Sequence, residues 1–157
     1  MDLKALYQDV INEHNNSPTH KGLTEDATFT LRGLNPSCGD DIFLQLKVDS
    51  SGVISEGSFS GKGCAISQAS ADMMLDLVIG KTQDEAIHLA DLFLGMIRGD
   101  VQDEGALEPL DEALALQNIR LMPARVKCAV LGWHTMEEML KNGRTSGMGS
   151  ADHCSTE

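Results

Sequence analysis

Basic side chains are scarce in this sequence. Lys and Arg together number 12 against 24 Asp and Glu, a net charge of −12 over 157 residues. Nucleic-acid binding rests on basic patches that displace counterions, so this balance argues against DNA or RNA as a partner. It argues equally against an anionic membrane surface. No apolar run reaches the roughly 20 residues that a bilayer crossing needs. Met1-Asp2-Leu3-Lys4 lacks the charged-then-apolar layout of a secretory leader, so the expected location is cytoplasmic. In that reducing compartment the four cysteines point to metal ligands or reactive thiols rather than disulfides. No two of them stand two residues apart, which removes the strongest cue for a zinc ribbon. No internal repeat is evident either.

What is present suits one globular domain. The hydrophobic fraction is 41%, and a chain of 157 residues fits the usual domain range. At this size folding buries roughly 70% of the unfolded surface, enough for a core without staples. Leu3, Leu6, Tyr7, Val10 and Ile11 recur on one helical face, ending near Asn15-Asn16-Ser17-Pro18. A buried face of this kind reads as a helix packed on the domain.

From Ala27 to Phe59 the period changes to two. Phe29 and Leu31 alternate with Thr28, Thr30 and Arg32; Ile42, Leu44, Leu46 and Val48 alternate with Phe43, Gln45, Lys47 and Asp49. Val53–Phe59 follows the turn Ser50-Ser51-Gly52, and short turns between strands indicate an antiparallel meander. After Gly61-Lys62-Gly63-Cys64 the helical period returns over Ala65–Ile79, with Gly80 suited to a left-handed C-terminal position. Thr82 and Glu85 have capping-box spacing ahead of the apolar face Ala86, Leu89, Ala90, Phe93, Leu94 and Ile97, which Gly99 closes. The acidic stretch Asp100–Asn118 allows a short helix from Leu110 to Leu116, and its run Asp100–Glu112 reads as a solvated face. Pro123 suits the first turn of a last helix ending near Gly143. Along it Trp133, Met136 and Leu140 follow helical spacing and belong to the core or an interface.

Strands first and helices after point to α+β. The expected fold is a three-stranded antiparallel sheet with an N-terminal helix and three or four C-terminal helices packed on one face. Residues 1–143 form the domain. Residues 144–157, rich in Gly and Ser without periodicity, form a flexible tail.

Cys38 falls on the loop Asn35-Pro36-Ser37-Cys38-Gly39-Asp40, Cys64 opens a helix, and Cys128 lies in the first turns of the last helix. If these places converge at one end of the sheet, Cys38, Asp40, Cys64 and Cys128 make a closed zinc site of three thiolates and a carboxylate. Helix N-termini should ease formation of the Cys64 and Cys128 thiolates, and Arg125 and Lys127 offset the negative charge. Spacing alone leaves open a second possibility: unrelated cysteines, two of them packed as small hydrophobes. His14 and His20 flank a turn and are potential ligands, but read as exposed or capping residues. Cys154, in the tail, reads as a free thiol without a role.

Three ordered motifs resemble the IscU/SufU family of iron–sulfur cluster assembly proteins. They are Asn-Pro-x-Cys-Gly-Asp (Asn35–Asp40), Gly-x-Gly-Cys-Ala-Ile-Ser (Gly61–Ser67) and Pro-Ala-Arg-Val-Lys-Cys (Pro123–Cys128). Tyr7, Val10, Ile11, His14, Asn15, Pro18 and Gly22 resemble the family's N-terminal segment, so the likeness spans about residues 3–141. The resemblance implies an α+β fold, a role in iron–sulfur biogenesis, a cysteine desulfurase as partner, and the metal ligands Cys38, Asp40, Cys64 and Cys128.

Two departures select a branch. Lys127 stands where IscU-type scaffolds have a histidine, and an ammonium is a poor cluster ligand. The acidic segment from about Asp100 to Ile119 looks like the SufU insertion. The SufU branch implies a zinc-dependent sulfur acceptor for a SufS-type desulfurase. Cys38, on a loop beside Gly39, is the expected acceptor, with Arg125 supporting. Downstream iron–sulfur assembly proteins would take it onward. The partner would displace Cys38 from the zinc while Asp40, Cys64 and Cys128 hold the ion. The alternatives are a scaffold carrying a transient [2Fe–2S] cluster on the same residues, and a non-catalytic zinc domain that binds a partner.

Overall fold

The computed structural model describes residues 3–146 and 153–156. The chain runs α1 (Leu3–Asn16), β1 (Phe29–Asn35), β2 (Asp40–Val48), β3 (Ile54–Lys62), α2 (Ala65–Val78), α3 (Gln83–Arg98), α4 (Glu104–Leu107), a 3₁₀ segment (Glu108–Leu121), α5 (Pro123–Asn142) and β4 (His153–Ser155).

The two-residue period sets the sheet's register. Leu31 lies opposite Leu44 and Gly33 opposite Ile42, while Leu44 and Leu46 face Phe59 and Gly57 of β3. These positions carry the apolar face, where Leu31, Ile42, Leu44, Leu46 and Phe59 are buried. The same alternation separates two neighbouring aspartates. Asp40, paired with Asn35 at the end of the β1–β2 ladder, is buried. Asp41 turns to the other face, where Arg32 donates to it from Nε (2.8 Å) and Nη2 (2.7 Å). That bidentate pair holds the Asp41 carboxyl below its ordinary range. Asp41 also lies opposite Lys62, so the chain leaves β3 for Cys64 beside Asp40. Gly61 makes this close approach possible: its φ is +100°, and a Cβ there would collide with the Asp41 carbonyl oxygen.

The sheet has four strands, in the order β3-β2-β1-β4, rather than the expected three. β4 runs parallel to β1, with Cys154 opposite Gly33. Ser146 N–H also donates to the Thr30 carbonyl (2.6 Å) and Thr156 N–H to the Leu34 carbonyl (3.1 Å). Parts of the segment expected to be a flexible tail thus satisfy the unpaired backbone of β1. Cys154 is buried there. Tail residues 147–152 and 157 lie outside the described residues.

The helices bury the expected faces. α3 starts with the capping box of Thr82 and Glu85 and stops at Gly99, in the left-handed conformation at φ 82°. α1 packs through Ile11, with Tyr7 and Val10 partly buried. On α5, Trp133 stacks on Phe93 with ring centroids 4.4 Å apart and donates from Nε1 to Ser70 Oγ (3.1 Å). Trp133→Ala should cost about 3–5 kcal/mol, read as a lower urea midpoint, because it empties a fully buried site and removes the indole's bond to Ser70.

The acidic segment is only half a solvated face. Asp103, Glu104, Glu108 and Glu112 are exposed, but Leu107, Leu110, Ala113, Leu116 and Ile119 enter the core. The short helix expected over Leu110–Leu116 is part of a longer 3₁₀ segment that is kinked at Asp111 (φ 47°, ψ −122°). Among the described residues no helix is long and apolar enough to cross a membrane.

Candidate metal centre

The centre is assembled around Asp40, the first residue of β2. Its Oδ1 accepts from the backbone N–H of Cys64 (2.8 Å) and from Ser67 Oγ (3.1 Å). Its Oδ2 accepts from Asn35 Nδ2 (3.0 Å), which also reaches Cys128 Sγ (3.4 Å). One buried carboxylate therefore links the end of β1, the start of α2 and the α5 cysteine. Gly63 lets the chain pass beside it: a Cβ there would meet the Ser67 hydroxyl and come within 3.2 Å of Asp40 Oδ1.

The three cysteines are held differently. Cys38 stands on the β1–β2 turn, next to Gly39 at φ +74°, and is half-buried. Cys64 is the N-cap of α2, in extended conformation, and its side chain makes no capping bond. Cys128 is fully buried on α5. The sulfurs of Cys38 and Cys128 approach one carbonyl, that of Ala124, at 3.7 and 4.0 Å. Cys38, Asp40 and Cys128 each offer a ligand atom within 4.8 Å of the others. Cys64 falls outside that trio, though its thiol also contacts Cys128.

Burial pushes the Cys128 thiol well above its ordinary pKa, and its neighbours Cys38, Cys64 and Asp40 push it further. The expectation that a helix N-terminus eases this thiolate is therefore corrected: desolvation and crowding by acidic groups outweigh the dipole. A dication reverses that balance, because a coordinated thiol is deprotonated. The donor set fits zinc. Three soft thiols and a carboxylate suit it, and bonds of about 2.3 Å to sulfur would set tetrahedral ligands about 3.8 Å apart. Arg125 is exposed, but its guanidinium lies near the sulfurs of Cys128, Cys64 and Cys38, which raise its pKa. Lys127, one residue before Cys128, is half-buried.

Of the expected ligands, Cys38, Asp40 and Cys128 come together; Cys64 lies outside that trio, its backbone N–H bonded to Asp40. Asn35 and Ser67 carried no expected role, although both lie inside the quoted motifs. The signal was available in Asn35, a polar residue closing a strand just ahead of Pro36.

Comparison with known proteins agrees with this architecture. The NifU-like N-terminal domain family matches residues 6–145. The chain is 42% identical over 141 residues to the iron-sulfur cluster assembly scaffold protein IscU of Thermotoga maritima, covering 90% of this chain and 96% of that one. It is 36% identical over 137 residues to the zinc-dependent sulfurtransferase SufU of Bacillus subtilis, covering 87% and 90%. The crystal structure of FiSufU, from the SUF system of Fervidobacterium islandicum AW-1, matches with a TM-score of 0.77 at 34% identity, covering 87% and 97%. On its sequence, its fold and its clustered cysteines, the chain belongs to the NifU-like N-terminal domain family, among the IscU and SufU proteins of iron–sulfur cluster assembly.

Proposed function

We propose that this protein is a zinc-bound sulfur acceptor. It takes persulfide sulfur from a SufS-type cysteine desulfurase through Cys38 and passes it to downstream assembly proteins. The observation that carries this reading is the unequal placement of the thiols. Cys64 and Cys128 are fixed by helices, whereas Cys38 sits on a turn among the exposed residues Pro36, Ser37 and Gly39.

Asp40, Cys64 and Cys128 would hold the metal together with Cys38. Bound zinc supplies the positive charge that keeps these thiols deprotonated. Cys38 Sγ attacks the outer sulfur of the desulfurase persulfide. A bond forms between Cys38 Sγ and that sulfur, the persulfide S–S bond breaks, and its electron pair leaves on the desulfurase cysteine as a thiolate. No outside oxidant or reductant is needed. Arg125, a cation beside Cys128, Cys64 and Cys38, would help to stabilise the thiolates at this centre during transfer.

The relatives' names divide between scaffold and sulfurtransferase. Lys127 favours the acceptor, because its ammonium cannot serve as the ligand that a histidine would supply there. The acidic run Asp100–Glu112 would offer a surface for the desulfurase. Mapping sulfur by mass spectrometry after one anaerobic turnover with desulfurase and cysteine tests the assignment. The added sulfur should lie on Cys38, and its appearance on Cys64 would overturn it. Arg125→Ala should slow transfer about 10- to 100-fold without releasing zinc, the worth of one hydrogen bond to a charged group. An unchanged rate would remove Arg125 from the mechanism.

A further inference from the structure

Farther along α2 lies a second cluster of ligating groups, away from the cysteines. Asp72 and Asp76 are one helical turn apart, and Asp72 lies about 12 Å along the helix axis from Cys64. His14, near the end of α1, meets them. Its Nδ1 is 2.6 Å from Asp72 Oδ2 and its Nε2 is 3.0 Å from Glu112 Oε2 of the 3₁₀ segment. Asp76 Oδ2 stands 3.7 Å from the same Nδ1, and Asp76 Oδ1 is 2.6 Å from His20 Nε2. His14, Asp76 and Glu112 each present a ligand atom within 4.8 Å of the others. They line a cleft of about 390 Å³ together with Asp72. The expectation that His14 is exposed or capping does not hold, for it is 6% exposed.

A buried, unsatisfied oxygen distinguishes this cluster from an ordinary acidic surface. Asp72 is 2% exposed and its Oδ1 has no hydrogen-bond partner. A carboxylate left so deep in the protein is costly without a counter-charge. With Asp72 accepting from Nδ1–H, the lone pair of His14 Nε2 is left facing the Glu112 carboxylate. Two acceptors at that distance require a proton or a metal ion. A separation of 3.0 Å between Nε2 and Oε2 also suits neighbouring ligands of an octahedral ion with bonds of about 2.1 Å.

We propose that His14, Asp76 and Glu112 form a second divalent-cation site, with buried Asp72 orienting His14 and His20 orienting Asp76. One imidazole with two carboxylates suits Mn²⁺ or Fe²⁺, in contrast to the thiolate centre. A carboxylate on the second ring nitrogen of a ligating histidine is the usual way such a ligand is fixed. This inference is independent of the sulfur-acceptor reading.

The test uses the full chain loaded with one zinc, so that the cysteine centre is filled. Mn²⁺ is titrated in and free Mn²⁺ read by electron paramagnetic resonance. One Mn²⁺ should bind per chain, raise the melting temperature and resist excess Mg²⁺. Glu112→Gln and Asp76→Asn alter half-exposed side chains and should leave the metal-free melting temperature in place. Each should weaken Mn²⁺ binding at least 10-fold. Asp72→Asn should weaken it about 10- to 100-fold as a positioning residue, and Asp103→Asn, on the exposed acidic face, should not. Absence of Mn²⁺ binding overturns the proposal and leaves His14 as an imidazolium bridging two carboxylates. Unchanged affinity in Glu112→Gln and Asp76→Asn, or displacement by Mg²⁺, also overturns it and assigns the ion to the general acidic surface.

Discussion

Cys38→Ala should reduce sulfur acceptance from the desulfurase to background while the protein stays folded. The side chain is half-buried on a turn, and its sulfur meets the Ala124 carbonyl at 3.7 Å and the polar groups of the metal centre. No core packing is lost with it, so the far-ultraviolet circular dichroism spectrum should match the wild type. Asp40, Cys64 and Cys128 remain to hold zinc, and the asparagine and serine bonds to Asp40 are untouched. Acceptance should nevertheless vanish, because the other two sulfurs of the centre are held in place: Cys128 is buried and Cys64 is fixed at the start of α2. The measurement is sulfur bound per chain after one turnover, alongside the melting temperature. Retained acceptance would move the nucleophile elsewhere. Global unfolding of Cys38→Ala would favour a purely structural zinc domain.

Cys128→Ser should behave in the opposite way, losing zinc and stability together. The thiol is buried on α5, receives Asn35 Nδ2 at 3.4 Å, and shares its surroundings with Asp40 and the other two cysteines. A serine hydroxyl keeps nearly the same shape but does not become an anionic ligand at neutral pH. Zinc held at about 100 times its Kd stabilises the fold by about 2.7 kcal/mol through linkage. Its loss should lower the melting temperature by about 5–10 °C at this chain length. Wild-type protein stripped with a chelator should fall by a similar amount, and zinc should restore the wild type alone. Full zinc occupancy in Cys128→Ser would remove this cysteine from the centre.

Much of this was legible because the relevant signals are local. The alternation through Leu31, Ile42, Leu44 and Leu46 fixes both the strands and the face they bury. Thr82, Glu85, Gly99 and Gly143 mark helix ends through chemistry confined to a few residues. β4 left no such trace, since three residues in a Gly- and Ser-rich segment carry no period; the free edge of β1 decides its pairing. The 3₁₀ path through Asp111 is likewise a tertiary outcome, imposed by Leu107, Leu110 and Leu116 reaching the core.

The cysteine centre became readable from ordered motifs, not from spacing, because its ligands come from three separate elements. The ease of forming the Cys128 thiolate was misjudged for a related reason: the helix dipole is visible in sequence, whereas burial beside Cys38, Cys64 and Asp40 is not. His14 shows the same limit. Its partners Asp72 and Glu112 are 58 and 98 residues away, so nothing near it in sequence signals that it is buried and bridged.

The central claim is that sulfur is received and handed on without a cluster being built on Cys38, Asp40, Cys64 and Cys128. The most direct measurement incubates the zinc-loaded protein anaerobically with its desulfurase, cysteine and ferrous iron. The protein is re-isolated, and zinc, iron and labile sulfide at the cysteine centre are measured, using the Asp76→Asn variant so that iron at the second cluster does not count. Zinc retained, without labile sulfide or iron at that centre, is the result expected of a sulfur acceptor. Zinc replaced by a stoichiometric, transferable iron–sulfur cluster would contradict that account and make the protein a scaffold despite Lys127.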